Sequence, residues 1–180
     1  GRGSSPGVVA VESGGFPRIF VFGGQNDEQI LDSCEFLDIR GENLADKWML
    51  VEAKMATARR LTAAALLDVN TAVICGGEDN DSIDMASCEA FDLATLTFSE
   101  FADMLEPRFH HALVHYQGTL VVMGGVNKKK SCEQFDAVTN KWGPFAHLNE
   151  GREEFGADVI EDKIFVAGGC GADSVEVFDG

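Results

Sequence analysis

The sequence predicts an all-β fold, a β-propeller of about four blades in which each blade is an antiparallel sheet of four short strands. Two observations support this prediction. Four short apolar runs each end in a glycine doublet, and the first glycines lie 53, 48 and 44 residues apart, at Gly23, Gly76, Gly124 and Gly168. Each doublet is followed by a segment in which a glutamate precedes an aspartate by three residues, at 34–38, 88–92, 132–136 and 175–179. Repeats of this length are typical of propellers and solenoids.

Four strands can be placed within one repeat. Strand a follows an arginine, strand b ends at the glycine doublet, strand c carries the glutamate and the aspartate, and strand d carries an aromatic residue. We expect strand a over 61–67, 109–116 and 155–160, after Arg59, Arg108 and Arg152. From each arginine to the next doublet there are 17, 16 and 16 residues, which fits two strands and a tight turn. One such sheet cannot bury both of its faces, so the units must stack around an axis.

The expected boundaries leave the last blade incomplete. Residues 1–6 are interpreted as a tag or linker, and the domain covers 7–180, with blades at about 7–52, 59–102, 108–146 and 152–180. Pro6 or Gly7 stands where the first unit should have its arginine, and the fourth unit stops at Gly180 after strand c. The chain is therefore expected to be part of a larger propeller or one that another chain completes. An open arc exposes apolar faces and a sheet edge, which favours self-association of the fragment.

These features resemble the Kelch repeat family over about 7–179. The residues that carry the resemblance are the glycine doublets (Gly23, Gly24, Gly76, Gly77, Gly124, Gly125, Gly168, Gly169), the strand c glutamates (Glu35, Glu89, Glu133, Glu176) and the aromatic residues Trp48 and Trp142, each followed by an aliphatic residue and an arginine. Phe98 replaces the usual tryptophan, and phenylalanine replaces the usual strand c tyrosine. The resemblance implies a propeller of roughly five to seven blades that acts mainly as a protein-interaction module.

Charge and cysteine positions limit the partners and the compartment. The net charge of −16, from 30 acidic and 14 basic residues, would repel nucleic acid. No apolar run approaches the roughly 20 residues that span a membrane. Cys34, Cys88 and Cys132 occupy one repeat position and should lie too far apart for disulfides. With Cys75 in strand b, they are interpreted as small hydrophobic residues, and only Cys170 lies in a loop. The chain is therefore expected to be cytoplasmic, in a reducing environment.

Alternating strand direction should bring the d–a and b–c connections to one rim. Two interpretations of Arg59, Arg108 and Arg152 stay open: they pair with the strand c glutamates and hold blades together, or they bind carboxylates or phosphates of a partner. Arg60 has no repeat counterpart, which favours a role in binding. The remaining rim candidates are the loop residues Glu28, Asp79, Asp81, Lys128, Lys129, Lys130 and His110. Their charges indicate either solvated surface or an acidic and basic rim that steers a partner of mixed charge.

The sequence contains no constellation that indicates catalysis, a metal or a cofactor. Asp79, Asp81 and Asp84 lack the central glycine and terminal glutamate of a calcium loop. His110, His111 and His115 cannot all reach one ion from a strand. Copper oxidases of similar fold need two tyrosines, and the chain has one. The sequence thus predicts a non-enzymatic module that binds another protein or peptide, such as the substrate receptor of a cullin-type ubiquitin ligase adaptor. The alternatives are a structural, actin-associated Kelch protein and, third, a propeller enzyme.

Overall fold

The computed structural model describes residues 5–13, 16–39 and 48–180. All the regular secondary structure within these ranges is β-strand. Blade 1 contains β1 (Gly7–Ser13), β2 (Phe16–Phe22), β3 (Ser33–Asp38) and β4 (Trp48–Lys54). Blade 2 contains β5 (Ala63–Leu66), β6 (Thr71–Cys75), β7 (Cys88–Asp92) and β8 (Thr97–Phe101). Blade 3 contains β9 (Ala112–Tyr116), β10 (Thr119–Met123), β11 (Cys132–Asp136) and β12 (Lys141–Phe145). Blade 4 contains β13 (Gly156–Ile160), β14 (Lys163–Ala167) and β15 (Val175–Phe178).

Each blade is an antiparallel sheet in which the strands pair in chain order. In the described ranges, blades 1 to 3 have four strands each and blade 4 has three, so the predicted all-β propeller with a three-stranded last blade is confirmed. Strands β2, β6, β10 and β14 all end at the residue before a glycine doublet, as the sequence predicts. In the described part of the chain, no helix is long and apolar enough to cross a membrane.

The first strand of blades 2 to 4 starts later than the sequence predicts. Leu61, His110 and Glu154 have positive φ angles of 55°, 53° and 56°, which no β-strand residue adopts. The chain therefore bends at these residues, and the strands begin two residues further on, at Ala63, Ala112 and Gly156.

The register of blade 1 also corrects the position of its missing arginine. Gly7 pairs with Phe22 as Ala112 pairs with Met123. Ala112 lies four residues after Arg108, so the equivalent position in blade 1 is residue 3, which lies outside the described residues. The assignment of this position to Pro6 or Gly7 is therefore wrong, because strand a begins four residues after the arginine position and not one to three residues after it.

The hydrophobic core lies between the blades, in three clusters. Phe20, Phe22 and Phe91 are fully buried between blades 1 and 2. The other two clusters, which include Leu120 between blades 2 and 3 and Ile164 between blades 3 and 4, repeat this arrangement. The first strand of each blade is the innermost one. Strand β5 packs against β1 and β9, and β9 packs against β13. Among the described residues, no comparable packing joins β13 to β1, so the four blades form an arc.

The two ends of the arc expose apolar side chains. Val166 pairs with Glu176 and faces blade 3, so the neighbouring residues of β15 face the other way, and Val175 and Val177 are 64% and 50% exposed. At the other end, Leu50 of β4 is 69% exposed on the face of blade 1 that points away from blade 2. Each end therefore presents a sheet face that no described residue covers.

Candidate interaction face

One face of the arc is formed by the d–a and b–c connections, which hydrogen-bond to each other in every complete blade. In blade 2 the amide of Gly77 donates to the carbonyl of Arg108 at 2.8 Å, and the amide of Arg108 donates to the carbonyl of Met85 at 3.0 Å. Blades 1 and 3 repeat both bonds around Arg59 and Arg152. We call this side the loop face. It comprises the segments 23–32, 55–62, 76–87, 103–111, 124–131, 147–155 and 168–174.

The arginines of the d–a connections are buried and form hydrogen bonds within the protein. Arg108 is 0% exposed, and its guanidinium donates to Glu133 Oε1 from Nε at 3.2 Å and from Nη2 at 3.0 Å. Its Nη1 donates to the carbonyls of Gly124 at 2.8 Å and Ser131 at 2.9 Å. Glu133 also accepts the amides of Leu105 and Glu106. The arginine backbone contacts blade 2 and its side chain binds blade 3, so this residue joins the two blades.

The same arrangement recurs at the two other junctions. Arg59 contacts Glu89 at 3.0 Å, and Arg152 contacts Glu176 at 3.0 Å, with both arginines 0% exposed. Burial by itself would raise the pKa of Glu176, but the amides of Asn149 and Glu150 and the Arg152 guanidinium lower it below its usual value. The interpretation of Arg59, Arg108 and Arg152 as a ring that binds a partner is therefore wrong, because a partner cannot touch enclosed guanidinium groups.

Arg60 differs from its neighbour, because it lies in part at the surface. Its guanidinium contacts Glu78 Oε2 at 3.0 Å and Gln25 Oε1 at 2.7 Å, and its side chain is 25% exposed. Gln25 and Glu78 belong to the b–c loops of blades 1 and 2, so Arg60 links two loops across a blade junction. Its proposed role in partner binding stays a prediction.

The lysines of the third b–c loop are each held by a neighbour. Lys128 contacts Glu106 at 2.8 Å, Lys129 contacts Glu153 at 3.1 Å, and Lys130 donates to the carbonyl of Asn149 at 2.7 Å. The salt link from Lys128 lowers the pKa of Glu106. These contacts neutralise much of the basic charge that the sequence places on this rim.

The acidic loops keep more of their charge at the surface. Glu28 and Asp81 are exposed, whereas Asp79 accepts the amides of Asp81 and Ile83 and shapes its loop. Burial raises the pKa of Asp84, and the carboxylate of Glu78 raises it further. The loop face is thus acidic at blades 1 and 2, and the roles of Glu28, Asp79 and Asp81 in binding stay predictions.

A cavity of about 430 Å³ lies where the blades meet at the axis of the loop face. Its walls are Ser5, Leu61, Thr62, His110, His111, Glu154 and Phe155. His110 Nε2 lies 3.1 Å from Glu154 Oε1, which joins blades 3 and 4 across the mouth. Of these residues, only His110 is a rim candidate by sequence. Leu61 and Glu154, like His110, lie two residues after an arginine, and that spacing could have identified them.

His111 forms part of the cavity wall but is largely buried. It is 9% exposed, and neither ring nitrogen has a hydrogen-bond partner among the described residues. Burial lowers the pKa of His111 to about 3, and the positive charge of Arg108 contributes. The ring is therefore neutral near pH 7.

The comparisons with known proteins agree with the fold. A family model described as Kelch motif matches residues 107–147, which span strand a to strand d of blade 3 with its arginine. Spermatocyte protein spe-26 of Caenorhabditis elegans is 30% identical over 178 residues, which cover 89% of this chain and 30% of that protein. Kelch-like protein 41a of Danio rerio is 26% identical over 84% of this chain and 25% of its own length. Kelch-like protein 33 of Homo sapiens is 28% identical over 69% of this chain and 24% of its own length.

The chain is a Kelch-repeat β-propeller. It spans about a quarter to a third of the length of the curated relatives it matches. The Kelch markers account for the buried frame at each junction, namely the glycine doublets, the glutamates and the arginines. They do not determine the loop residues, which differ from blade to blade.

Two structural features of this Kelch chain bear on metals and thiols. In the described ranges, no group of three or more His, Cys, Asp or Glu side chains is placed to hold a metal ion. None of the five cysteines forms a disulfide; four are buried and Cys170 is exposed, as the sequence predicts. Cys75 and Cys88 lie directly opposite each other on β6 and β7, a pairing that the repeat positions did not predict. Burial raises the pKa of Cys75 well above its usual value, and Cys88 raises it further.

Proposed function

We propose that this Kelch propeller binds another protein through the loop face. The observation that supports the proposal is that each repeat contains two groups of residues, one buried and structural and the other exposed and variable. Buried contacts such as Arg108–Glu133 hold the connections in one geometry, while exposed residues on the same connections change from blade to blade. A fixed scaffold that presents variable loops is the arrangement by which many folds achieve binding specificity. The partner is a protein or peptide with basic groups, because blades 1 and 2 present acidic loops.

The wider role that we propose is substrate receptor of a cullin-type ubiquitin ligase adaptor. This role fits a binding module that aligns with about a quarter of the length of the Kelch-like relatives. It requires a BTB region elsewhere in the native protein. The test is co-purification of the full-length native protein with a cullin from cells, with sedimentation of the same protein with filamentous actin as the second arm. Actin binding without a cullin would favour the structural alternative.

The loop face can be tested separately with two matched charge reversals. Proteins captured by the chain from cells are identified by mass spectrometry, purified and then measured for direct binding. Glu28→Lys alters the b–c loop of blade 1, and Glu161→Lys alters the turn between β13 and β14 at the opposite end of the blades. Both glutamates are exposed, so both variants should fold. We expect Glu28→Lys alone to weaken binding, and a loss confined to Glu161→Lys would overturn the proposal.

A further inference from the structure

Four residues at one repeat position surround the axial cavity of the loop face. Leu61, His110 and Glu154 each follow an arginine by two residues, and Ser5 holds the matching place two residues before β1. All four have positive φ angles, of 27° for Ser5 and 53° to 56° for the others. The amide of His110 donates to the carbonyl of Leu61 at 3.2 Å, and the amide of Glu154 donates to that of His110 at 3.0 Å. These two bonds connect blade 2 to blade 3 and blade 3 to blade 4 beside the cavity. We call these four residues the axial ring.

Glycine could adopt the backbone conformation of the axial ring at every position. A positive φ angle strains residues that carry a Cβ atom, and glycine adopts it without strain. Leucine, histidine and glutamate nevertheless occupy three of the positions, and their side chains line the same cavity. Strained non-glycine residues of this kind concentrate at functional sites. The side chains of the axial ring therefore have a use that the fold itself does not require.

Among the residues that the structure describes, the cavity combines apolar walls with one carboxylate. Leu61 and Phe155 provide the apolar surface, Ser5 provides a hydroxyl, and Glu154 provides the carboxylate, with a side chain that is 56% exposed. His110 engages one oxygen of this carboxylate, at 3.1 Å. His111 adds no positive charge, because burial lowers its pKa to about 3. The volume of about 430 Å³ is within the range of small-ligand sites and is ample for one long side chain.

We propose that the axial cavity binds a cationic side chain, arginine or lysine, of the partner protein. The methylene stem lies against Leu61 and Phe155, and the charged head reaches the Glu154 carboxylate and the Ser5 hydroxyl. Long basic side chains pair apolar stems with charged heads in this way. The net charge of −16 attracts a cation to the mouth of the cavity. The inference rests on the proposed function, because it names the chemistry that the loop face recognises at its centre.

The experiment uses three short peptides and the whole chain. The peptides are Gly-Gly-Xaa-Gly-Gly with arginine, lysine or citrulline at the centre, and citrulline is the neutral isostere of arginine. Binding is followed by amide chemical shifts in NMR titrations. We expect saturable shifts at Leu61, His110 and Glu154 with the arginine and lysine peptides, and none with citrulline. The arginine and lysine arms distinguish guanidinium from ammonium recognition.

Two glutamate variants separate the axial cavity from general acidity. Glu154→Gln should weaken binding of the cationic peptides by about fivefold, the effect expected for one partly exposed charge pair. Glu161→Gln is the matched control, because Glu161 is also exposed and also has a positive φ angle, of 49°, but lies at the opposite end of the blades. This variant should bind like the unmodified chain.

Several results would overturn the inference. These are equal shifts with citrulline, equal weakening by Glu154→Gln and Glu161→Gln, or shifts spread over the acidic loops without the axial ring. An unchanged spectrum outside the substituted region verifies that each variant is folded. Failure of this inference is distinguishable from failure of the proposed function. If Glu28→Lys weakens binding of the partner but the cationic peptides cause no shifts at the axial ring, the partner binds the loops and does not use the cavity.

Discussion

Arg108 donates two hydrogen bonds to a single carboxylate oxygen of Glu133, from Nε at 3.2 Å and from Nη2 at 3.0 Å, and both residues are almost completely buried. The backbone of the same arginine is bonded to blade 2, through its amide and its carbonyl. The pair therefore fixes the position of blade 3 relative to blade 2. Because this junction occurs three times, the relative placement of the loops depends on buried charges rather than on loop sequence.

We predict that breaking this pair on one side is strongly destabilising. Glu133→Gln keeps the volume but leaves the Arg108 guanidinium buried without its counter-charge, which should cost about 3–5 kcal/mol of unfolding free energy. Arg60→Ala is the comparison, because the Arg60–Glu78 pair is partly exposed and should contribute about 1 kcal/mol or less. Urea denaturation followed by fluorescence measures both. Equal losses in the two variants would contradict the assignment of Arg108 as the structural arginine.

A second prediction concerns two glycines at the same repeat position. Gly76 has a φ angle of +61°, and a Cβ atom there would collide with the carbonyl oxygen of Arg108. Gly168 has a φ angle of +69°, but a Cβ atom there meets nothing within 4 Å. Gly168→Ala should therefore cost only the strain of about 1–2 kcal/mol, and Gly76→Ala should cost clearly more. Thermal unfolding of both variants decides, and a larger effect at Gly168 would contradict the blade order described above.

The Kelch markers could be predicted from sequence because each meets a local backbone requirement that recurs in every blade. Gly76 satisfies both a positive φ angle and a close approach. Glu89, Glu133 and Glu176 each accept two backbone amides. The late start of strand a could not be predicted, since the bend at Leu61, His110 and Glu154 uses residues that do not favour it. The burial of Arg108 was left open between two interpretations, because its enclosure depends on the packing of blade 3.

The axial ring was largely missed for a related reason. The four side chains have no common chemistry, and only the backbone conformation makes them equivalent. The pairing of Cys75 with Cys88 was missed as well, because sequence spacing does not set the register across the long b–c loop. The backbone hydrogen bond from the Gly76 amide to the Ser87 carbonyl sets it, directly beside the two thiols.

We predict a stability change between pH 6.5 and 5 that depends on His111. In the folded chain the pKa of His111 is lowered to about 3, whereas the unfolded chain binds a proton near 6.5. Between these values the unfolded state binds more protons, so the free energy of unfolding falls as the pH falls, by about 1.4 kcal/mol per unit. Urea denaturation at several pH values measures the slope. His111→Phe should lose this slope, and an unchanged slope would contradict the burial of a neutral histidine.

The five thiols should divide into one reactive and four protected groups. Cys170 is exposed, whereas burial raises the pKa of Cys132 to about 11 and that of Cys75 well above its usual value. Because the thiolate is the reactive form, maleimide at pH 8 should label one cysteine in the native chain and five after denaturation. Cys170→Ser should remove the rapid native labelling. Fewer than five labelled thiols in denaturant, without added oxidant, would reveal a disulfide.

The last prediction is that the chain self-associates through the ends of the arc. The free face of blade 4 exposes Val175 and Val177, and the edge of β15 lacks a neighbouring strand among the described residues. The space beside Gly168 is open, whereas the Arg108 carbonyl fills the equivalent space at Gly76. Apolar surface of this kind favours association by about 25 cal/mol per Å² buried. Light scattering over a dilution series should show a mass that falls with dilution, and Val175→Lys with Val177→Lys should shift the chain to monomer. Val138→Lys is the control, because Val138 is 95% exposed in the turn between β11 and β12, away from the arc ends. A strictly monomeric chain at tens of micromolar would exclude this association and would favour closure of the arc within one molecule.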